Sequence, residues 1–152
     1  MDERLKRIKE IEEERDKLAI ERDKLQSEIR EEKEKIEKEE KSSFIGKYFK
    51  AINKSNSYKD VIAFKILSLD IYDPLKTARC LAIIDNTKEK VDKNIGVINQ
   101  RMHLWSYDTL RMMNKKGDAL TIDFFKEISE EEFLKIKKET LLKMETFIDE
   151  QK

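Results

Sequence analysis

The sequence predicts an α+β protein: a long N-terminal coiled-coil helix, a small curved antiparallel β-sheet or barrel of about five strands, and a C-terminal helix. Three observations carry this reading. Residues 1–41 contain no Gly, Pro or aromatic residue and repeat "ERDKL" at an interval of seven. From Phe44 onward the apolar residues fall into short β-branched and aromatic runs separated by turn residues. Near the C-terminus, "ISEEEF" combines a cap, a reciprocal acid and a hydrophobic staple at helix-start spacing. The composition also implies two unlike parts. At 43% charged and 38% hydrophobic, the chain is too charged for one ordinary compact domain and too apolar to be wholly disordered. The expected division is 1–41 for the coil and 42–152 for a β domain with its terminal helix.

In the first element almost every residue is a strong helix former, so an unbroken helix follows. With Ile8 at heptad position a, the a positions are Ile8, Arg15, Arg22, Ile29 and Ile36. The d positions are then Ile11, Leu18, Leu25, Glu32 and Glu39. A seam of Ile8, Ile11, Arg15, Leu18, Arg22, Leu25, Ile29 and Ile36 predicts a parallel homodimer. Arginine at a lays its stem along the seam and carries its guanidinium to the rim, within reach of the partner helix's g residue, here Glu14 or Glu21. The remaining g-to-e pairs, Arg7 with Glu12, Glu28 with Lys33 and Lys35 with Glu40, are attractive. The arginines thus weaken the coil but bias it towards a dimer, because long cations are hard to bury in a trimer or tetramer. An antiparallel coil, a fold-back onto residues 133–148, and a single helix held by i,i+4 ion pairs are the other arrangements compatible with this pattern. Ile20 falls at an f position, away from the seam, and marks a second possible contact.

The strands are expected at 44–52, 61–72, 78–85, 95–105 and 119–125, with turns at 53–57, 73–74, 85–90 and 114–118. Gly117 is the residue expected at positive φ. The second run is apolar on both faces, with Ile62, Phe64 and Ile66 opposite Ala63, Lys65 and Leu67, which places it at the centre of the sheet. Residues 107–113 fit a short helix or the start of a strand. The terminal helix is expected over 129–150, with Ser129 as cap, Glu132 returning the bond, and Ile128 packed on Phe133. Its apolar face would be Phe133, Ile136, Leu141, Met144, Phe147 and Ile148.

Chemistry-bearing patterns are sparse. Cys80 and His103 are the only cysteine and histidine, and the glycines Gly46, Gly96 and Gly117 lie too far apart for a phosphate loop. No spacing matches a metal site and no family signature surrounds Cys80 or His103, so no enzyme activity, cofactor or small-molecule substrate is expected; Cys80 reads as a buried core residue, with an enzyme using Cys80 or His103 as the third class. One cysteine and no long apolar run imply a reducing, cytoplasmic setting without a membrane span. Net charge is +0, yet residues 44–127 hold 15 Lys or Arg against 10 Asp or Glu, leaving the β region mildly basic. Within it Lys47, Tyr48, Lys50, Arg101, His103 and Trp105 interleave cations with rings and form the candidate partner-binding surface. Met112 and Met113 are an alternative adaptable patch or core filling. A protein partner is favoured, and nucleic acid bound by stacking and phosphate neutralisation is the alternative.

The stretches "IGKYF" at Ile45–Phe49 and "EISEEEFLK" at Glu127–Lys135 also carry a resemblance. Over roughly residues 44–148 the chain resembles small uncharacterised proteins of phages and mobile elements of low-GC Gram-positive bacteria. It departs from them in its N-terminal coiled coil. The resemblance implies a small accessory protein that acts by binding in the bacterial host cytoplasm, such as an inhibitor of a host nuclease or other defence complex.

Overall fold

The computed structural model describes residues 2–53, 58–89, 93–105 and 124–150. Helix α1 (Asp2–Ser42) runs 41 residues without a break, as expected of a segment free of Gly and Pro. It is followed by β1 (Tyr48–Ala51), β2 (Val61–Leu69), β3 (Ala78–Asp85), β4 (Ile95–Met102), β5 (Phe125–Ile128) and α2 (Glu130–Glu150). By packing, the chain forms two compact units, 1–39 and 40–152.

The strands make one antiparallel sheet in the order β4-β3-β2-β1-β5. β2 lies at its centre, as its two apolar faces require. The sheet is open: β4 and β5 are its two edges and do not pair, which corrects the expectation of a barrel. Closure would demand strand tilt and a fixed stagger, and here α2 covers one face instead.

Two bulges interrupt β2, between Val61 and Ala63 and between Ile66 and Ser68. The first turns Val61 to the same face as Phe64 and Ile66 and sends Ile62 to the other face with Ala63. Ile62 therefore does not side with Phe64, because one inserted residue inverts the alternation locally. The larger core lies on the first face, where Phe49, Phe64, Ile66, Cys80, Ala82, Met102 and Phe125 are buried with Phe44, Leu104 and Trp105. Phe64 stacks on Phe49 and meets Phe125 edge-on, both at 5.2 Å between ring centroids.

The second face carries Ala63, Ile83, Val97, Tyr48 and Ile128, covered by Phe133 and Ile136 of α2. The cap is as read from sequence: Glu132 N–H donates to Ser129 Oγ at 3.1 Å, and Ile128 and Phe133 share a cluster. The Glu132 carboxylate does not turn back on the cap. It accepts from Lys50 Nζ at 2.6 Å and ties the helix start to β1. At its other half α2 is tied to the end of β3 by Lys143 Nζ and Asp85 Oδ2 at 2.6 Å. Thr140 is buried on this helix, whereas Ile148 is exposed.

Strand bounds differ from the sequence reading where local chemistry stops pairing. Residues 43–46 form a turn, with Gly46 at φ 87° donating its N–H to Ile66 O, so β1 starts only at Tyr48. β2 ends at Leu69 because the Asp70 side chain organises the following turn. β5 begins at Phe125 and runs to Ile128, shifted towards α2 from the expected run. The expectations for residues 107–113, for the turn at 114–118 with Gly117, and for Met112 and Met113 lie outside the described residues.

Candidate interaction surface

α1 displays its seam to solvent within the single chain. Ile8, Ile11, Leu18, Leu25, Ile29 and Ile36 are 43–59% exposed, and Ile20 is exposed as well. Exposed aliphatics at a and d spacing form a narrow stripe that a helix cannot bury against itself. Arg15 and Arg22 lie in the same stripe by their heptad positions, and Arg22 also pairs with Asp23 at 3.8 Å. Arg7 and Glu10 pair at 3.7 Å along the helix. These exposed pairs add little stability.

On the sheet, the six candidate residues fall at separate places. Lys47 Nζ reaches Glu127 Oε1 at 3.2 Å and lies over the Phe44 ring. Tyr48 faces α2, with its ring 4.9 Å from Phe133, and Lys65 Nζ lies over it. Lys50 is held by Glu132. Arg101 Nε pairs with Asp70 Oδ2, and its guanidinium lies 5.7 Å from the Tyr72 ring centroid. The His103 N–H donates to the Tyr58 hydroxyl. Trp105 is only 8% exposed and carries Lys41 Nζ over its ring at 4.9 Å. Lys47, Lys50 and Arg101 are thus each paired with a carboxylate inside the fold, and Tyr48 and Trp105 pack rather than stand free.

The turn after β2 brings together residues that the sequence reading did not single out. Asp70 is 1% exposed. Its Oδ1 accepts the Tyr72 N–H at 2.9 Å, and its Oδ2 accepts Thr77 Oγ1 at 3.0 Å as well as Arg101. The Asp70 N–H donates to Thr77 O at 3.1 Å, and Asp73 O accepts the N–H groups of Lys76 and Thr77. Lys41 Nζ donates to Leu75 O. The Tyr72 N–H, then Thr77, Arg101 and Arg79, hold the Asp70 carboxyl below the usual carboxylate range against the opposing effect of burial. The result is a cross-braced turn that carries Ile71 and Tyr72 outward. Beside it Arg79 of β3 sits directly opposite Arg101 of β4. That register is a non-local property, so the only sequence signal for this site was the Asp–Pro turn itself.

Cys80 is fully buried in the main core, and burial pushes its thiol up to about 12, so it stays protonated near neutral pH. Among the described residues no group of His, Cys, Asp and Glu is arranged to hold a metal ion, and no helix is long and apolar enough to cross a membrane. Comparison of the chain with protein-family models, curated proteins and solved structures gives no match.

Proposed function

We propose that the chain is a non-enzymatic interaction protein: a homodimer paired through α1 that presents two β domains to a macromolecular partner. The observation that carries this reading is the exposed seam of α1, with six aliphatic side chains at heptad spacing along an unbroken helix. Pairing two copies removes that stripe from water, at roughly 25 cal/mol per Å² of apolar surface. It also makes two weak contacts act as one, which strengthens binding about 100-fold or more when both engage. A protein partner is preferred to nucleic acid because Lys47, Lys50 and Arg101 already have carboxylate partners. An accessory role, such as inhibition of a host nuclease or defence complex, is proposed with it from the sequence stretches Ile45–Phe49 and Glu127–Lys135.

The test is the solution mass of the full chain beside its Leu18→Glu, Leu25→Glu variant, by light scattering. A dimer that becomes a folded monomer on substitution is the expected result. A monomer in both would end the pairing role and make α1 a solvated helix or a partner-binding arm. A version reduced to residues 40–152 serves as a second monomer reference. It retains Lys41, whose ammonium is bonded to Leu75 O inside the sheet unit.

A further inference from the structure

Ile71 and Tyr72, at 84% and 79%, are the two most exposed large hydrophobic side chains among the described residues. They do not hang on a loose loop. The Tyr72 N–H is bonded to Asp70, the Asp70 N–H to Thr77 O, and the Thr77 N–H to Asp73 O. Trp105 N–H and Lys41 Nζ reach Lys76 O and Leu75 O on the same turn. A turn ordered in advance loses little further entropy when a partner arrives, so apolar tips displayed on it favour binding more than the same residues on a mobile segment would.

Charge beside the tips is unbalanced in one direction. Arg79 and Arg101 are cross-strand partners, a placement that is destabilising for like charges unless an anion lies near. Asp70 supplies one carboxylate, and it is bonded to Arg101. Arg79 is exposed and meets Asp70 only through space. With Asp73 and the exposed Lys76 also on the turn, three cations (Lys76, Arg79 and Arg101) stand against two carboxylates (Asp70 and Asp73), which leaves one cationic charge unmatched at the site. Tyrosine and arginine at the centre of a small apolar projection are the residue types that dominate binding energy in protein interfaces. Ile71 offers no ring for a base to stack on, and with Arg101 held by Asp70 only Arg79 and Lys76 are left to meet an anionic group, too few to track a phosphate backbone.

We propose that the Ile71–Tyr72 turn with Arg79 docks an acidic protein segment, with the two tips entering an apolar depression and Arg79 meeting a carboxylate at its rim. This deepens the partner-binding reading and rests on it. The experiment selects a random twelve-residue peptide library on the immobilised full chain, then measures the enriched peptides, fluorescein-labelled, by anisotropy. A labelled twenty-residue oligothymidine is measured in parallel. Ile71→Ser, Tyr72→Ala and Arg79→Ala change exposed side chains, and far-UV circular dichroism verifies that each variant is folded.

The expected result is enrichment of acidic peptides bearing apolar residues, bound about tenfold or more weakly by Tyr72→Ala and about threefold or more weakly by Arg79→Ala. Affinity of the Leu18→Glu, Leu25→Glu monomer for a single peptide should be unchanged, so failure of α1 pairing leaves this inference standing. Enriched peptides that bind all three variants as tightly as the parent overturn it while sparing the broader protein-binding reading. No enrichment, or oligothymidine binding that Arg79→Ala abolishes, overturns both.

Discussion

Ile8, Leu18 and Ile29 of α1 are about half exposed, whereas Ile66 and Ile83 of the sheet are fully buried, although both regions are rich in similar aliphatic side chains. The difference lies in geometry. A strand exposes alternate residues to each face, and neighbouring strands continue both faces sideways, so a five-stranded sheet builds a wide surface that one helix and a few loop residues can cover. A helix with apolar residues only at a and d has a stripe two side chains wide and no lateral neighbour of its own. Both faces of the sheet are therefore largely covered within one chain, whereas the apolar stripe of α1 stays exposed within it. The arginines at a sharpen the contrast, since β2 places its one cation, Lys65, over the ring of Tyr48.

The largest expected effect comes from removing the two arginines from the α1 stripe. If α1 pairs as proposed, Arg15→Leu with Arg22→Leu adds four leucines per dimer, each contributing about 1.5–3 kcal/mol when fully buried. Thermal melts at two concentrations should show a markedly more stable assembly, and sedimentation should reveal species larger than a dimer. A dimer destabilised by these substitutions would remove the view that the arginines restrict oligomer choice.

The sheet is tested next by Phe64→Ala at the centre of β2, which removes the ring between Phe49 and Phe125. The expected loss is about 3–5 kcal/mol in urea unfolding. If the two regions bury themselves independently, the helical signal of α1 should outlast the sheet in the same titration. Simultaneous loss would show that the contrast drawn above is too sharp.

Ser129→Ala should cost about 1 kcal/mol, because the Glu132 N–H loses its acceptor at the start of α2. Ser129→Asp should restore most of it, and a variant as stable as the parent would show that the staple alone starts the helix.

The smallest effect is set by pH. Burial pushes the Asp85 carboxyl up, but its bonds with Lys143 and Thr87 outweigh burial and hold it below the usual range. Its folded pKa is therefore depressed. The stability it contributes is complete above the unfolded value near 4 and is lost as pH falls through that value and below. Lys143→Ala should cost no more than about 1 kcal/mol at neutral pH, since half of this lysine faces solvent. The difference between variant and parent should narrow in acid, and a gap that widens there would assign Lys143 another partner.

Legibility in the sequence followed the range of the interactions. The extent of α1, the cap at Ser129, the full span of β3 and the central place of β2 each rest on propensity or periodicity inside one segment, and they were readable. β5 was harder because Lys126 and Glu127 lie between its buried ends, which hides any alternation. The candidate ring and cation runs were readable as composition but not as surface, since Trp105 turns inward and Lys50 crosses to Glu132, 82 residues away in sequence. The opposition of Arg79 and Arg101, and the enclosure of Asp70, depend on strand register and two bulges. No single segment encodes those.

Trp105, the sole tryptophan of the chain, lies buried beneath the Lys41 ammonium, both within the sheet unit. The chain thereby carries a single tryptophan fluorophore at this contact. Its emission should be blue-shifted in the native protein and move to longer wavelength when the core around it opens. Lys41→Met, which removes the ammonium over the ring and its bond to Leu75 O, should shift that emission, giving an optical readout of how firmly Lys41 is held, with no dye attached.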